Sequence, residues 1–205
     1  MPGFTHLHTV SGFSVRYGAS HPERLAQRAV ERGMDALALT DRDTLAGAVR
    51  FAKAAAKAGI RPLFGVDLAV PPAGVPGGAG KTSAASGSGE ASYRRRVPVR
   101  GGAFVDESAP RAVFLARDGA AGWARLCRMV TAAHAGAGFG DGSGADPGFG
   151  DGSGPGAGAG PARAGGGSPV VPWEAMGGDG VFVLLGPGSE VGRALAAGRP
   201  DRAAR

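Results

Sequence analysis

The sequence predicts an α/β fold. Short apolar runs alternate with segments of helical period over the first seventy residues, and the same alternation resumes after each of two tracts that hold much of the Gly and Pro. Phe4 to Leu7 reads as the first strand. A helix is expected to begin at Ser20, where Ser20 and Glu23 form a capping box, Pro22 suits the first turn, and Leu25, Ala29 and Val30 recur at helical spacing up to Gly33.

Ala36 to Thr40 is a continuous apolar run suited to a strand buried on both faces. Asp41 and Asp43 then precede a helix carrying Leu45, Val49, Phe51 and Ala52, which Gly59 closes. Arg61 to Val70 supplies a third strand, and strict alternation predicts that these strands lie parallel. Beyond the first Gly-rich tract, Ala112 to Ala116 reads as a strand and Ala120 to His134 as a helix. Val181 to Leu185 reads as another strand, followed by a helix from Glu190 to Ala197 capped by Ser189 and stopped by Gly198.

The chain of 205 residues is long enough for one domain with a sizeable core, burying roughly two thirds of the surface its unfolded form exposes. It divides into 1–70, a Pro/Gly/Ser-rich insertion at 71–110, a strand and helix at 111–134, a Gly-rich linker at 135–168, and a final strand and helix at 169–205. The 39 Gly and 15 Pro concentrate in the two tracts, which are expected to be disordered and to add nothing to the core. The second contains GFGDGSG twice, at Gly138 to Gly144 and Gly148 to Gly154. A calcium β-roll needs several stacked turns of nonapeptide period, so two copies ten residues apart read as linker.

Lys and Arg number 23 against 17 Asp and Glu, a surplus of 23 − 17 = +6 that favours polyanions without establishing nucleic-acid binding. The basic cluster Arg94, Arg95 and Arg96 has neither an aromatic platform nor a recognition helix beside it. The single Cys127 shares a helical pattern with Trp123, Leu126, Met129 and Val130, which suits a small hydrophobe rather than a nucleophile. No signal-peptide pattern and no apolar run of membrane-spanning length occurs, so a cytoplasmic protein without membrane contact is expected.

The strongest chemical signal is His6-Leu7-His8 at the end of the first strand, because residues two apart on a strand share a side and two imidazoles there can bind one metal ion. Further ligands would have to come from neighbouring strand ends. Asp41 and Asp67 are the oxygen donors in such positions, of a kind that suits Zn, Mn or Mg.

The run HLHTVSGFSVRYGASHPERL, followed by GMDALALTDRDTLAGAVRFAKAAAKAGIRPLFGVDLAV, resembles the PHP (polymerase and histidinol phosphatase) domain that opens the alpha subunit of bacterial DNA polymerase III and its error-prone relatives. The likeness resumes in AVFLARDGAAGWARLCRMVTAAH and in DGVFVLLGPGSEVGRALAAG. It implies a distorted (β/α)7 barrel with metals at the carboxyl ends of its strands. About five strands are visible here, so a partial barrel with two disordered Gly-rich insertions is expected. The resemblance also implies that Val10, Tyr17, Arg42 and Arg111 occupy positions where active members carry ligands, with Asp67 in place of a Glu.

A guanidinium held about 4 Å from a divalent ion repels it by several kcal/mol at an effective dielectric near 20. The expected outcome is a scaffold without cofactors, in which an arginine and carboxylate network involving Arg42, Asp41 and Asp67 replaces a metal site of His6, His8, Asp41 and Asp67. In that role the chain would pack against the polymerase core of its parent and meet DNA only through it. The competing expectation is a free-standing PHP phosphoesterase that uses those same four residues to activate water through Zn, Mn or Mg.

Overall fold

A computed structural model describes residues 4–72, 96–98, 104–106, 109–136 and 169–204. The cores of both Gly-rich tracts, with Arg94, Arg95 and the two GFGDGSG copies, lie outside the described residues. The elements in order are α1 (Pro22–Glu31), β1 (Ala36–Arg42), α2 (Ala48–Ala58), β2 (Arg61–Ala69), β3 (Arg96–Pro98), β4 (Phe104–Asp106), β5 (Arg111–Ala116), α3 (Gly119–Gly136), α4 (Trp173–Met176), β6 (Val181–Leu184), α5 (Glu190–Ala196) and α6 (Pro200–Ala203).

One sheet has the order β1-β2-β5-β6, and β3 and β4 form a separate antiparallel pair inside the expected insertion. Only β1 and β2 are parallel; β5 runs antiparallel to β2, and β6 antiparallel to β5. The sheet is therefore mixed, not parallel as the alternation suggested. No helix is described between β2 and β5, and antiparallel neighbours need no helical crossover. After α3 the chain pairs Val170 with Ala69 at one end of the sheet, and β6 then starts opposite Ala116 at the other, so β6 must run back against β5.

The first strand expected at Phe4 to Leu7 is reduced to a single parallel bridge, His6 to Leu37. The segment does lie along β1, since the Ala38 and Thr40 amides donate to the carbonyls of His6 (2.9 Å) and Thr9 (2.8 Å). The Thr9 amide, however, donates to the Thr40 hydroxyl at 3.0 Å, and that side chain interrupts the ladder.

Side-chain alternation divides the sheet into two faces. Leu37 and Leu39 pack against Ala26 and Ala29 of α1 and Phe51 and Ala55 of α2. Val66, Leu68, Ala112 and Phe114 pack against Leu126, Met129 and Ala133 of α3. The opposite face carries Ala38, Val113 and Leu115, flanked by Leu63 and Leu184. Cys127 is half-buried beside the two fully buried α3 anchors Leu126 and Met129.

Both early helices end as their glycines require. Gly33 has φ +68°, and the Gly33 and Met34 amides return to Val30 and Ala29 at 2.8 and 2.9 Å, the bonding of a Schellman cap. Gly59 is also left-handed, at φ +73°. The capping box expected at Ser20 and Glu23 does not form: the N-cap of α1 is His21, without a side-chain bond. At α5 the expected cap is present, with Ser189 Oγ accepting from the Gly192 amide at 3.0 Å.

The strand β6 ends the sheet, and both its faces are partly open, with Phe182 at 53% and Val183 at 50% exposure. Among the described residues no helix is long and apolar enough to cross a membrane.

Candidate functional site

The carboxyl ends of β1 and β2 and the start of β5 gather the polar residues that the sequence singled out. Register decides which of them can meet. Arg42 pairs with Asp67, and each lies on the face that carries Ala38 and Val113. Asp41 is one residue out of phase and points to the helix-covered face, where a Cβ on Gly47 would sit 2.8 Å from its Oδ2.

Asp41 is 1% exposed and its carboxylate is occupied by the loop that follows the first segment. Oδ1 accepts from the Ser11 amide (2.6 Å) and the Ser14 hydroxyl (2.7 Å), and Oδ2 accepts from the Ser11 hydroxyl (2.8 Å). Ser14 Oγ in turn accepts from the Arg42 amide at 2.8 Å. Gly18 closes the loop so tightly that a Cβ there would fall 2.0 Å from the Ser11 carbonyl oxygen. Asp41 is thus the anchor of the 11–18 loop.

The inner-face network centres on Arg111. Its Nε donates to Asp67 Oδ1 at 2.9 Å, while Nη2 donates to Asp43 Oδ1 at 2.8 Å and to the Asp67 carbonyl at 2.7 Å. Arg111 and Asp67 are 11% and 12% exposed, so these charge-assisted bonds are shielded from water. Arg42 Nε lies 3.9 Å from Asp43 Oδ2, and its guanidinium stacks 3.9 Å from the centroid of the Tyr17 ring.

Asp43 is the hub that sequence reasoning noted only as an acid ahead of a helix. It adopts φ +58°, its amide donates to the Asp67 carbonyl at 2.9 Å, and its own carbonyl lies 2.8 Å from His134 Nε2 of α3. Asp adopts this left-handed conformation more readily than most residues. No local pattern announces it.

The two histidines of the opening motif part company. His8 Nε2 lies 3.7 Å from Asp67 Oδ2. His6 is exposed and makes an edge contact with Phe4, at 4.8 Å between ring centroids. Among the described residues, no group of three or more His, Cys, Asp or Glu side chains is placed to hold a metal ion. Tyr17, Arg42 and Arg111 all join the one network, whereas Val10 is an uncharged neighbour of the 11–18 loop.

The sequence matches the PHP domain family over residues 6–146, so β6 and α5 lie beyond the matched range. A protein named error-prone DNA polymerase from Nocardia farcinica is 39% identical over 145 residues, covering 66% of this chain and 13% of that protein. One of the same name from Corynebacterium efficiens is 49% identical over 67 residues, covering 33% of this chain and 6% of its own length. The chain thus spans about one eighth of the Nocardia relative. Among solved structures, an amidohydrolase from Chromobacterium violaceum is 26% identical with a TM-score of 0.40, covering 64% of this chain and 34% of its own.

Proposed function

Because the chain belongs to the PHP domain family, we propose that it acts as the amino-terminal PHP domain, or a piece of it, of an error-prone DNA polymerase of the polymerase III alpha class. In this reading the domain is a non-catalytic scaffold. It packs against the polymerase core of its parent and works in the cytoplasm in DNA replication or translesion synthesis. Nucleotidyl transfer belongs to the parent, and the open four-stranded sheet is part of a (β/α)7 barrel that the parent completes.

The observation that carries the reading is the Arg111 guanidinium between the carboxylates of Asp67 and Asp43, at 2.9 and 2.8 Å. A cation in that position does electrostatically what a divalent ion would do. It neutralises two converging carboxylates, but it offers no open coordination position and no water to activate. Asp41, with three hydrogen bonds to Ser11 and Ser14, is committed to loop structure. Zn, Mn or Mg therefore fits this set of residues poorly.

The 3.7 Å approach of His8 to Asp67 is what favours the alternative, a metal-dependent phosphoesterase using His6, His8, Asp41 and Asp67. Hydrolysis of a chromogenic phosphodiester by the purified chain, with Mn or Zn supplied, separates the two. The scaffold reading expects no turnover above that of the His8→Ala variant. Metal-dependent turnover abolished by His8→Ala would replace it with the phosphoesterase.

A further inference from the structure

The outer surface of α1 and α2 is charged in a way that neither the network nor the core explains. Arg24, Arg28 and Arg32 follow at four-residue intervals along one side of α1, and Arg50, Lys53 and Lys57 form a second row on α2, all six exposed. At 1.5 Å rise per residue the α1 cations recur about every 6 Å. The helices pack together, each precedes a strand of the parallel pair, and Arg50 Nε reaches Glu23 of α1 at 3.1 Å.

Ordinary solvated helix faces balance their charges at i and i+3 or i+4. Here only two acids stand against six cations, and both are already engaged, Glu23 by Arg50 and Glu31 by Arg28 at 2.7 Å. Arg24, Arg32, Lys53 and Lys57 carry no ion pair among the described residues. The excess is felt locally. Glu31 is held below the usual carboxylate range first by its bond from Arg28, then by the fields of Arg28, Arg24 and Arg32.

We propose that this two-helix face binds the phosphate backbone of duplex nucleic acid. Two rows of regularly spaced cations match a repeating linear polyanion better than a single phosphate. Neither helix exposes an aromatic ring on which unpaired bases could stack, since Phe51 is fully buried, and this disfavours a single strand. The only large apolar side chains the face exposes are Val30 and Val49, too little to insert into a lipid surface.

The test is anisotropy of a labelled DNA duplex titrated with the full 205-residue chain between 50 and 200 mM salt. Four phosphate contacts give a log–log salt slope of about −3.6, so binding should weaken roughly a hundredfold over that range. Lys53→Glu/Lys57→Glu and Arg24→Glu/Arg32→Glu should each flatten the slope by about 2 with unchanged circular dichroism. Replacing Arg94, Arg95 and Arg96 with Ala should leave it intact. Slopes unchanged in both charge-reversed variants, no duplex binding at 50 mM salt, or capture by phosphatidylserine vesicles in preference to DNA would overturn the proposal.

Discussion

Removal of the Arg111 side chain tests the network at its most shielded point. The guanidinium bonds Asp67 and Asp43 at 2.9 and 2.8 Å, with side-chain exposures of 11%, 12% and 21% for the three residues. Arg111→Ala leaves two converging carboxylates and strips one bond from the Asp67 carbonyl. Breaking a buried pair by deleting one partner costs about 3–5 kcal/mol. Arg42, at 3.9 Å from Asp43, compensates in part, which places the expectation near the lower end, about 3 kcal/mol. For a chain of this length that corresponds to a fall in Tm of roughly 6–12 °C. Urea denaturation followed by circular dichroism reads the same quantity as a shift in midpoint. Pairing Arg111→Ala with Asp67→Asn should cost at least about 1 kcal/mol less than the sum of the two single changes. A cost below about 0.5 kcal/mol, or strict additivity, would show that the network is a surface arrangement without structural weight.

Three further outcomes follow from the same geometry. Asp41→Ala orphans two buried hydroxyls and an amide and should destabilise by about 3 kcal/mol or more, measured by thermal melting, whereas Asp41→Asn, which keeps an acceptor, should cost much less. Gly18→Ala drives a Cβ into the Ser11 carbonyl and should cost about 1–3 kcal/mol, with faster proteolysis within the 11–18 loop. Phe182→Lys on the half-exposed edge strand should change stability by less than about 1 kcal/mol in urea denaturation; a loss above about 2 kcal/mol would show that the Phe182 ring is buried in solution.

Much of the scaffold was legible because local chemistry dictated it. The apolar runs of β1 and β2, the left-handed glycines Gly33 and Gly59, and the Ser189 cap all act within a few residues. Strand direction was not legible, since alternation of strands and helices is blind to it. β5 lies antiparallel to β2, a pairing that needs no helical crossover and so leaves no helical pattern by which to read it. The first strand, expected at Phe4 to Leu7, keeps one parallel bridge, His6 to Leu37, and beyond it the Thr9 amide donates to the Thr40 hydroxyl in place of a ladder carbonyl.

At the site, residue types were readable but their partners were not. Asp41 and Asp67 both sit near strand ends, yet the two-residue period of β1 turns Asp41 to the helix-covered face and leaves Arg42 on the face that carries Asp67, where its ion pair is with Asp43. Arg111 stood out as a replaced ligand, but its bond to Asp67 rests on the β2–β5 register, which the sequence does not reveal. The Ser11 and Ser14 pair, three apart and just after a strand-like segment, was the one signal that could have exposed the role of Asp41.

In the proposed scaffold arginine takes the place of metal, and the metal content of the purified chain after exhaustive dialysis tests this. Elemental analysis should find Zn, Mn and Mg all well below one equivalent. Two or more tightly held equivalents would mean that the Arg111 and carboxylate network yields to metal in solution, and that the domain is a metal-binding one.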